Sequence, residues 1–590
     1  MSATKISRAL ILVGTLQGLA LWWLWRAGNE HVWPATAPVW MTALQWAVLA
    51  LPLTAYWSAG AGSRQRRVAL LLAVALVFPL LGAYAGWLGQ PLADKGNYTG
   101  LFARSGVFSQ GLAGTVLCFM INPLVMGWDA AARRWDYHRL FELAWRNALL
   151  CVTVLVLTGF FWMVLLAGAM LMGSIGLGFI RDLIHQPAFV GPVTGMVVGA
   201  AFANGVARAE MLVNLRRYWL SINAWLLPLL LMFSLMWVLA LPFTGLGPLL
   251  KTHAAAYILL WFCALSIKFV NCAWQDGDEE VIYPPWLRDG VRLAWLALLP
   301  LAGIAGWAVA VRVQQYGWTA ERIWAAVIAL HAAAYVLGYA LSLLPRFRRQ
   351  GWMATMGRTN VAVAVMLAAS LLLLASPLAD PRRLGVNDQL HRLHAGLVQP
   401  QDFDYMSLRF GSGQWGLRAL QQLAADPRRA DIALRARQAL EQQTPYAAAN
   451  HNVGLAPDDV RQRLPVLAGG ALDDSLVDYL RGPDAAWQVQ NCLNRRPQCR
   501  VWLHDFDGDG VDEALFIPDD AVPAYLLARQ GQGWTVAANV EGSRTTHESL
   551  MAAIRASQIR QVPPVPPRWP DLMLGQTRLH LEPVSLPDPQ

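Results

Sequence analysis

The residues best equipped for chemistry lie late in the chain, in Asp505-Phe-Asp507-Gly-Asp509-Gly510-Val511-Asp512-Glu513. Carboxylates stand at loop positions 1, 3, 5 and 9, with glycine at position 6. In a calcium loop such side chains, with the carbonyl at position 7 (here Val511), surround one ion, and the glycine permits the sharp turn. Hard oxygen ligands in this number suit Ca2+ better than Zn2+ or Mg2+. Position 12 is Phe516 rather than the bidentate glutamate of a helix–loop–helix site, and the loop runs into the apolar strand Ala514–Ile517. The expected role is structural, because clustered carboxylates repel unless an ion holds them. The competing reading is an acidic β-turn that holds no ion.

Two cysteines, Cys492 and Cys499, precede this loop. They form a disulfide if their compartment is oxidising, and their spacing matches no zinc pattern. Cys118, Cys151, Cys263 and Cys272 fall in apolar runs and read as small apolar residues. His331 lies in the middle of an apolar run, as an intramembrane polar candidate for a relay or transport role. The simpler reading is a histidine hydrogen-bonded inside a helical bundle. Asp388, His391 and His394 lack the glutamate and the i,i+4 spacing of the common zinc hydrolase helix, so a solvated helix face is expected. The chain has no phosphate-binding GxxxxGK[ST] loop and no GxSxG elbow. No catalytic residue is assigned.

The elements that carry these residues follow from composition. Of 590 residues, 56% are apolar and 14% charged, the latter about half the share of a soluble domain. That balance excludes a disordered chain. Long apolar runs recur from residue 6 to 378, which argues against a purely cytosolic enzyme. A bilayer core needs about 20 apolar residues per helix. Eleven spans are expected, near 6–25, 40–58, 68–88, 106–127, 147–171, 187–207, 219–241, 253–272, 291–311, 322–344 and 359–378. The fourth and sixth are the weakest, with Gln110, Asn122, Gly191 and Asn204 inside them. The first, preceded by Lys5 and Arg8 and rich in tryptophan, reads as an uncleaved anchor.

Residues 1–379 carry 26 Lys+Arg against 13 Asp+Glu, and residues 380–590 carry 21 against 25. With the N-terminus cytoplasmic and the spans alternating, inner segments hold 18 Lys/Arg and outer ones 7. This is a positive-inside pattern, not a nucleic-acid footprint. An odd number of spans places residues after 378 outside the cytoplasm. Tryptophans at span ends, such as Trp40, Trp57, Trp87, Trp145, Trp219 and Trp318, read as an interfacial belt. Gly191, Gly195, Gly199 and Ala203 form a small-residue row that lets another helix approach closely, and intramolecular packing is preferred to a homodimer seam. Lys268 lies near a span end, where it can snorkel.

Beyond residue 379 the pattern changes. Helical spacing covers 385–397 and 412–442, interrupted at Asp402–Tyr405 and at Asp426-Pro427. Strands are expected at Arg500–His504, Glu513–Pro518, Ala524–Arg529 and Gly533–Ala538. The fold class is thus a polytopic α-helical membrane protein with a soluble C-terminal α+β domain. Its expected divisions are a bundle at 1–379, a helical extracytoplasmic segment at 380–450, a small α+β domain at 451–562 and a Pro-rich tail at 563–590.

The segment Arg312-Val-Gln-Gln-Tyr316-Gly317-Trp-Thr319-Ala-Glu-Arg322 resembles one between two late spans in a family of bacterial multi-pass membrane proteins, domain of unknown function 4153. The opening Gln17-Gly-Leu-Ala-Leu-Trp-Trp-Leu, the segment Tyr283-Pro-Pro-Trp and the stretch from Asp402 to Leu420 are similar to it as well, so the resemblance spans most of residues 1–445. It implies a bacterial inner membrane and no established activity. Physically, Thr319 is expected to cap the tenth span, with Glu321 in its first turn and Tyr316-Gly317 making the turn before it. The acidic loop resembles the strand–loop–strand calcium loops of FG-GAP/integrin-type repeats. The expectation is a non-enzymatic sensor or scaffold of the inner membrane, with lipid and an envelope protein as partners and a calcium-stabilised periplasmic domain. The alternatives are a transporter and, less favoured, a lipid-linked glycosyl transferase with Glu30 as its acid.

Overall fold

In a computed structural model the chain is described over residues 3–93, 107–247, 254–277, 282–442, 456–482, 499–518, 524–530 and 533–540, with a few positions between and the strands 572–574 and 577–579. Lys95, Arg104 and most of the Pro-rich tail lie outside the described residues. The chain divides into two compact units, Met1–Glu441 and Gln442–Gln590.

The first unit is helical. It comprises α1 (Ala3–Glu30), α2 (Pro38–Ser58), α3 (Arg64–Ala93), α4 (Val107–Met126), α5 (Tyr137–Ser174), α6 (Phe179–Ile184), α7 (Pro187–Ala207), α8 (Ala209–Ala224) and α9 (Leu226–Thr244). There follow α10 (Ala255–Trp274), α11 (Pro285–Ala294), α12 (Leu298–Tyr316), α13 (Ala320–Ala340) and α14 (Met356–Leu374). Among the described residues, ten helical stretches are long and apolar enough to cross a membrane, and Gln110–Met126 is a shorter apolar helix. Each of the eleven predicted spans overlaps one of these segments. Two of the ten join two α-helices: α8 runs into α9 at Trp225, and a 3-10 turn at Trp295–Ala297 joins α11 to α12. α5 has 38 residues, roughly 57 Å at 1.5 Å per residue, so it extends well past a hydrocarbon core of about 30 Å.

The small-residue row of α7 meets α1. A Cβ on Gly195 would lie 2.8 Å from the Gly18 nitrogen and closer still to the Gly14 carbonyl oxygen. One on Gly199 would collide with the Leu10 carbonyl. The two backbones touch, which in lipid maximises dispersion contact and needs no hydrophobic effect. This core continues through Trp46, Tyr56, Phe78, Leu117, Leu150 and Phe202. Trp57, expected in the interfacial belt, is buried in it and meets Phe119 edge-on, because its ring faces α4 rather than lipid. A second core gathers Leu227, Cys263, Trp295, Leu298 and Tyr339 from α9 to α13.

That second core contains a hydrogen-bonded polar knot. The Asn360 amide donates to Tyr137 Oη (2.8 Å) and to Asn271 Oδ1 (2.7 Å), and its Oδ1 accepts from the Tyr339 hydroxyl. Asn271 also donates to Tyr339 Oη (2.9 Å), and Tyr137 donates to the Gln275 carbonyl (3.2 Å). Four helices are joined by groups that satisfy one another, the condition under which buried polar side chains hold a bundle.

After α14 come α15 (Pro381–His394), a π-turn at Ser407–Gly411, α16 (Gly413–Ala424) and α17 (Ala430–Glu441). They fall in the first unit because α15 and α16 pack on bundle helices and α17 packs on α16. Trp415 donates to Tyr84 Oη (3.0 Å) and meets Trp87 edge-on (5.2 Å between ring centroids). Arg418 lies 4.9 Å from the Trp87 ring centroid. The 312–322 segment is the other dock. Thr319 caps α13 through the Arg322 N–H, and Gly317 has φ +75°. The Trp318 N–H donates to Asp388 (2.7 Å), Gln389 donates to the carbonyls of Tyr316 and Trp318 (both 3.0 Å), and Arg392 donates to that of Gln315 (2.9 Å). A side chain on Gly317 would strike all three partners from α15. Glycine is needed here for both its backbone angle and its bareness.

A two-stranded hairpin of β1 (Trp128–Asp129) and β2 (Arg134–Trp135) joins α4 to α5, and the second unit holds a five-stranded sheet in the order β3-β4-β5-β6-β7. Its strands are β3 (Val466–Ala468), β4 (Cys499–His504), β5 (Glu513–Pro518), β6 (Ala524–Gln530) and β7 (Gly533–Val540), all antiparallel neighbours except the parallel β3–β4 pair. The four predicted strands are β4 to β7. Alternation sets the faces: Cys499, Val501 and Leu503 pack with Val460, Leu476 and Leu480 of two short helices, α18 (Pro457–Arg463) and α19 (Asp474–Arg481), and with Leu464, which follows α18. Trp502 lies on the other face with Leu515 and Ile517.

Candidate metal centre

The loop between β4 and β5 is shaped by its own carboxylates. In register, His504 faces Glu513 across the hairpin, so both ends of the loop are held by the ladder. Both oxygens of Asp505 accept backbone N–H groups, from Gly508 (2.6 Å) and Gly510 (2.9 Å). Asp507 accepts from the Asp509 N–H (3.1 Å) and Asp509 from the Val511 N–H (2.7 Å). Gly508 and Gly510 have φ +83° and +88°, values that other residues rarely adopt. The turns therefore need glycine where the sequence supplies it.

Three acids converge. Asp505, Asp507 and Glu513 each offer a carboxylate oxygen within 4.8 Å of the others. Glu513 is buried at 4% exposure, and its Oε2 accepts the Phe506 N–H (2.7 Å). Burial raises the Glu513 pKa above the ordinary carboxylate value, and the neighbouring charges of Asp507, Asp509 and Asp505 add to that, against the Phe506 hydrogen bond. Asp509, predicted as a ligand together with the Val511 carbonyl, is not one of these three acids; like Asp505 and Asp507, its carboxylate accepts a backbone N–H, here that of Val511. Chemically the arrangement is an all-oxygen, strongly anionic cup, suited to a hard divalent cation.

Cys492 and Cys499 are joined by a disulfide, and Cys499 begins β4, the strand that delivers Asp505. His331 is buried in α13 with Nδ1 2.7 Å from the Val327 carbonyl. Nδ1 therefore carries the proton, since a carbonyl only accepts. Its Nε2 has no partner among the described residues. Asp388 is committed to Trp318, so it does not join His391 and His394 in a ligand set. Glu30 pairs with Arg26 at 2.7 Å on the same helix. Reading the residues in isolation missed the Asn271/Asn360 knot and the Tyr84–Trp415 dock. Their only signal was polar residues inside or beside apolar runs.

No curated protein and no solved structure matches the chain. A family model described as Domain of unknown function (DUF4153) matches residues 13–412, which takes in ten candidate spans, the 312–322 dock and α15, and ends before α16 and the acidic loop. The chain belongs to the DUF4153 family.

Proposed function

We propose that this is a non-enzymatic sensor or scaffold of a bacterial inner membrane whose C-terminal unit lies outside the cytoplasm and is stabilised by one calcium ion. The observation that carries the reading is the convergence of Asp505, Asp507 and the buried Glu513 on one point of a hairpin. The 18-to-7 distribution of Lys/Arg supports the orientation. The Cys492–Cys499 disulfide fits an oxidising compartment, where calcium is also plentiful. The likeness of the loop to FG-GAP repeats supports a calcium-binding hairpin. The partner is then an envelope protein that docks on the ion-stiffened domain.

The test uses the full-length chain in detergent and follows hydrogen exchange. Calcium is expected to slow exchange at the amides of Phe506–Val511 by at least about tenfold. Asp507→Asn removes a ligand charge, keeps the turn acceptor, and should abolish that protection, whereas Asp512→Asn, outside the converging group, should leave it intact. Equal protection in Asp507→Asn would sink the calcium reading. The pH dependence has a defined sign. A carboxyl whose folded pKa is raised binds more protons folded than unfolded, so without calcium it contributes stability at low pH that is lost as pH rises through its raised pKa. Calcium must displace that proton, so its affinity should fall as pH drops from 7 toward the carboxylate range. A C-terminal alkaline phosphatase fusion should be active, and an inactive one would reverse the orientation.

A further inference from the structure

Several arginines in the segments between spans bind backbone carbonyls. Arg66 donates to Trp128 (2.7 Å), Arg146 to Ala59 and Arg288 to Tyr283 (2.7 Å). Arg216 of α8 does not follow that pattern. It is buried at 6% exposure, and its Nε has neither solvent nor a hydrogen-bond partner. Among the described residues no carboxylate pairs with it. It lies against the Phe141 ring, whose centroid is 5.3 Å from the guanidinium carbon and against which Trp145 is tilted. A buried cation without a counter-charge is costly, and one aromatic face offsets only part of that cost.

The depth of Arg216 follows from helix length. The stretch Val213–Thr244 has 32 residues, roughly 48 Å of helix, against a core of about 30 Å. α9 alone, with 19 residues, is about 28 Å long and suffices to cross. The Ala224 carbonyl, at the α8–α9 junction, accepts from the Tyr283 hydroxyl in the connection after α10. α8 therefore lies at the membrane boundary. It exposes Leu215, Tyr218, Trp219 and Ile222, an apolar and aromatic face of the kind that rests among headgroups.

We propose that Arg216, with Phe141 as its aromatic wall, binds the phosphate group of a phospholipid headgroup. The planar guanidinium matches a phosphate with two parallel hydrogen bonds, and the headgroup supplies the missing negative charge at the depth where α8 lies. The inference does not depend on which face of the membrane α8 occupies, nor on calcium. Free inorganic phosphate shares the chemistry and is separated by experiment.

The test titrates delipidated full-length protein in neutral detergent with phosphatidylglycerol, reading the thermal midpoint. The wild type is expected to show a saturable rise. Arg216→Gln should need about tenfold more lipid, the loss of a charge-assisted pair. Arg216→Lys, which keeps the charge but not the fork, should fall between, and Arg349→Gln, an exposed arginine elsewhere, should match the wild type. If Arg216→Gln does not fold in detergent, Phe141→Leu, which keeps every charge, must weaken the same titration. Unchanged titration in both Arg216→Gln and Phe141→Leu overturns the proposal. A rise produced by millimolar inorganic phosphate but not by phosphatidylglycerol assigns the site to a free anion and overturns the lipid.

Discussion

Gly195→Leu should unseat α1 from α7 and lower the stability of the bundle by about 3 kcal/mol, the upper part of the usual range for overpacking. The reason is that the obstacle is backbone. A Cβ at Gly195 would collide with the Gly14 carbonyl and lie 2.8 Å from the Gly18 nitrogen. A flexible side chain could turn aside, but a helix backbone can only move as a whole. Moving it gives up the contacts of Gly18 with Gly191 and of Gly199 with Leu10 along the same seam. In lipid these dispersion contacts are the main attraction, since no hydrophobic effect favours one apolar surface over another. The control is Gly168→Leu on α5, where a Cβ meets nothing within 4 Å. That change should stay within about 0.5 kcal/mol, as exposed substitutions do. Equilibrium unfolding in mixed detergent distinguishes the two, and equal stability of the two variants would refute the packing argument.

Asp380→Ala is the second large effect, at about 4 kcal/mol from two sources. Asp380 is fully buried and caps α15, its Oδ1 accepting from the N–H groups of Arg382 (2.7 Å) and Arg383 (3.4 Å). Loss of such a cap costs about 1 kcal/mol. The remainder comes from Arg382, which is also buried. Burial pulls the Arg382 pKa down, and the Asp380 charge is the largest opposing influence. Removing Asp380 takes away the largest charge interaction that favours the buried Arg382 cation, at roughly 3 kcal/mol. The substitution also frees the Tyr84 hydroxyl, which donates to Asp380 (2.6 Å) and accepts from Trp415. The local readout is faster proteolysis and hydrogen exchange across 381–441 with the bundle intact. Arg382→Met in the Asp380→Ala background should recover part of the loss, because it removes the cation whose burial Asp380 eased. No recovery would mean that the cap and the Tyr84 bond, not the charge, hold the dock.

The short-range features are legible in the sequence alone. Apolar runs of about 20 residues must be helices that cross lipid, because no other segment can satisfy its own backbone there. Thr319 and Gly317 announced a cap and a turn, and alternation marked β4 to β7. The spacing of Asp505, Asp507 and Glu513 declared an acidic hairpin loop. Each of these is decided by neighbours within a few residues, through backbone geometry that each residue type carries with it.

Tertiary structure decided the pairings. The α7 glycines asked for a close neighbour, but only the fold names α1, some 180 residues earlier, as that neighbour. Asn271 and Asn360 looked like isolated polar residues until helix packing joined them. The segment from α15 onward read as separate, yet Tyr84, Trp87 and the 316–318 turn bind α15 and α16 to the bundle. In the acidic loop the fold brought carboxylate oxygens of Asp505, Asp507 and Glu513 within 4.8 Å of one another. Contacts of this kind depend on which surfaces meet after the chain has folded back on itself. Local propensity carries no record of that, since the loss of loop entropy is offset only by partners distant in sequence.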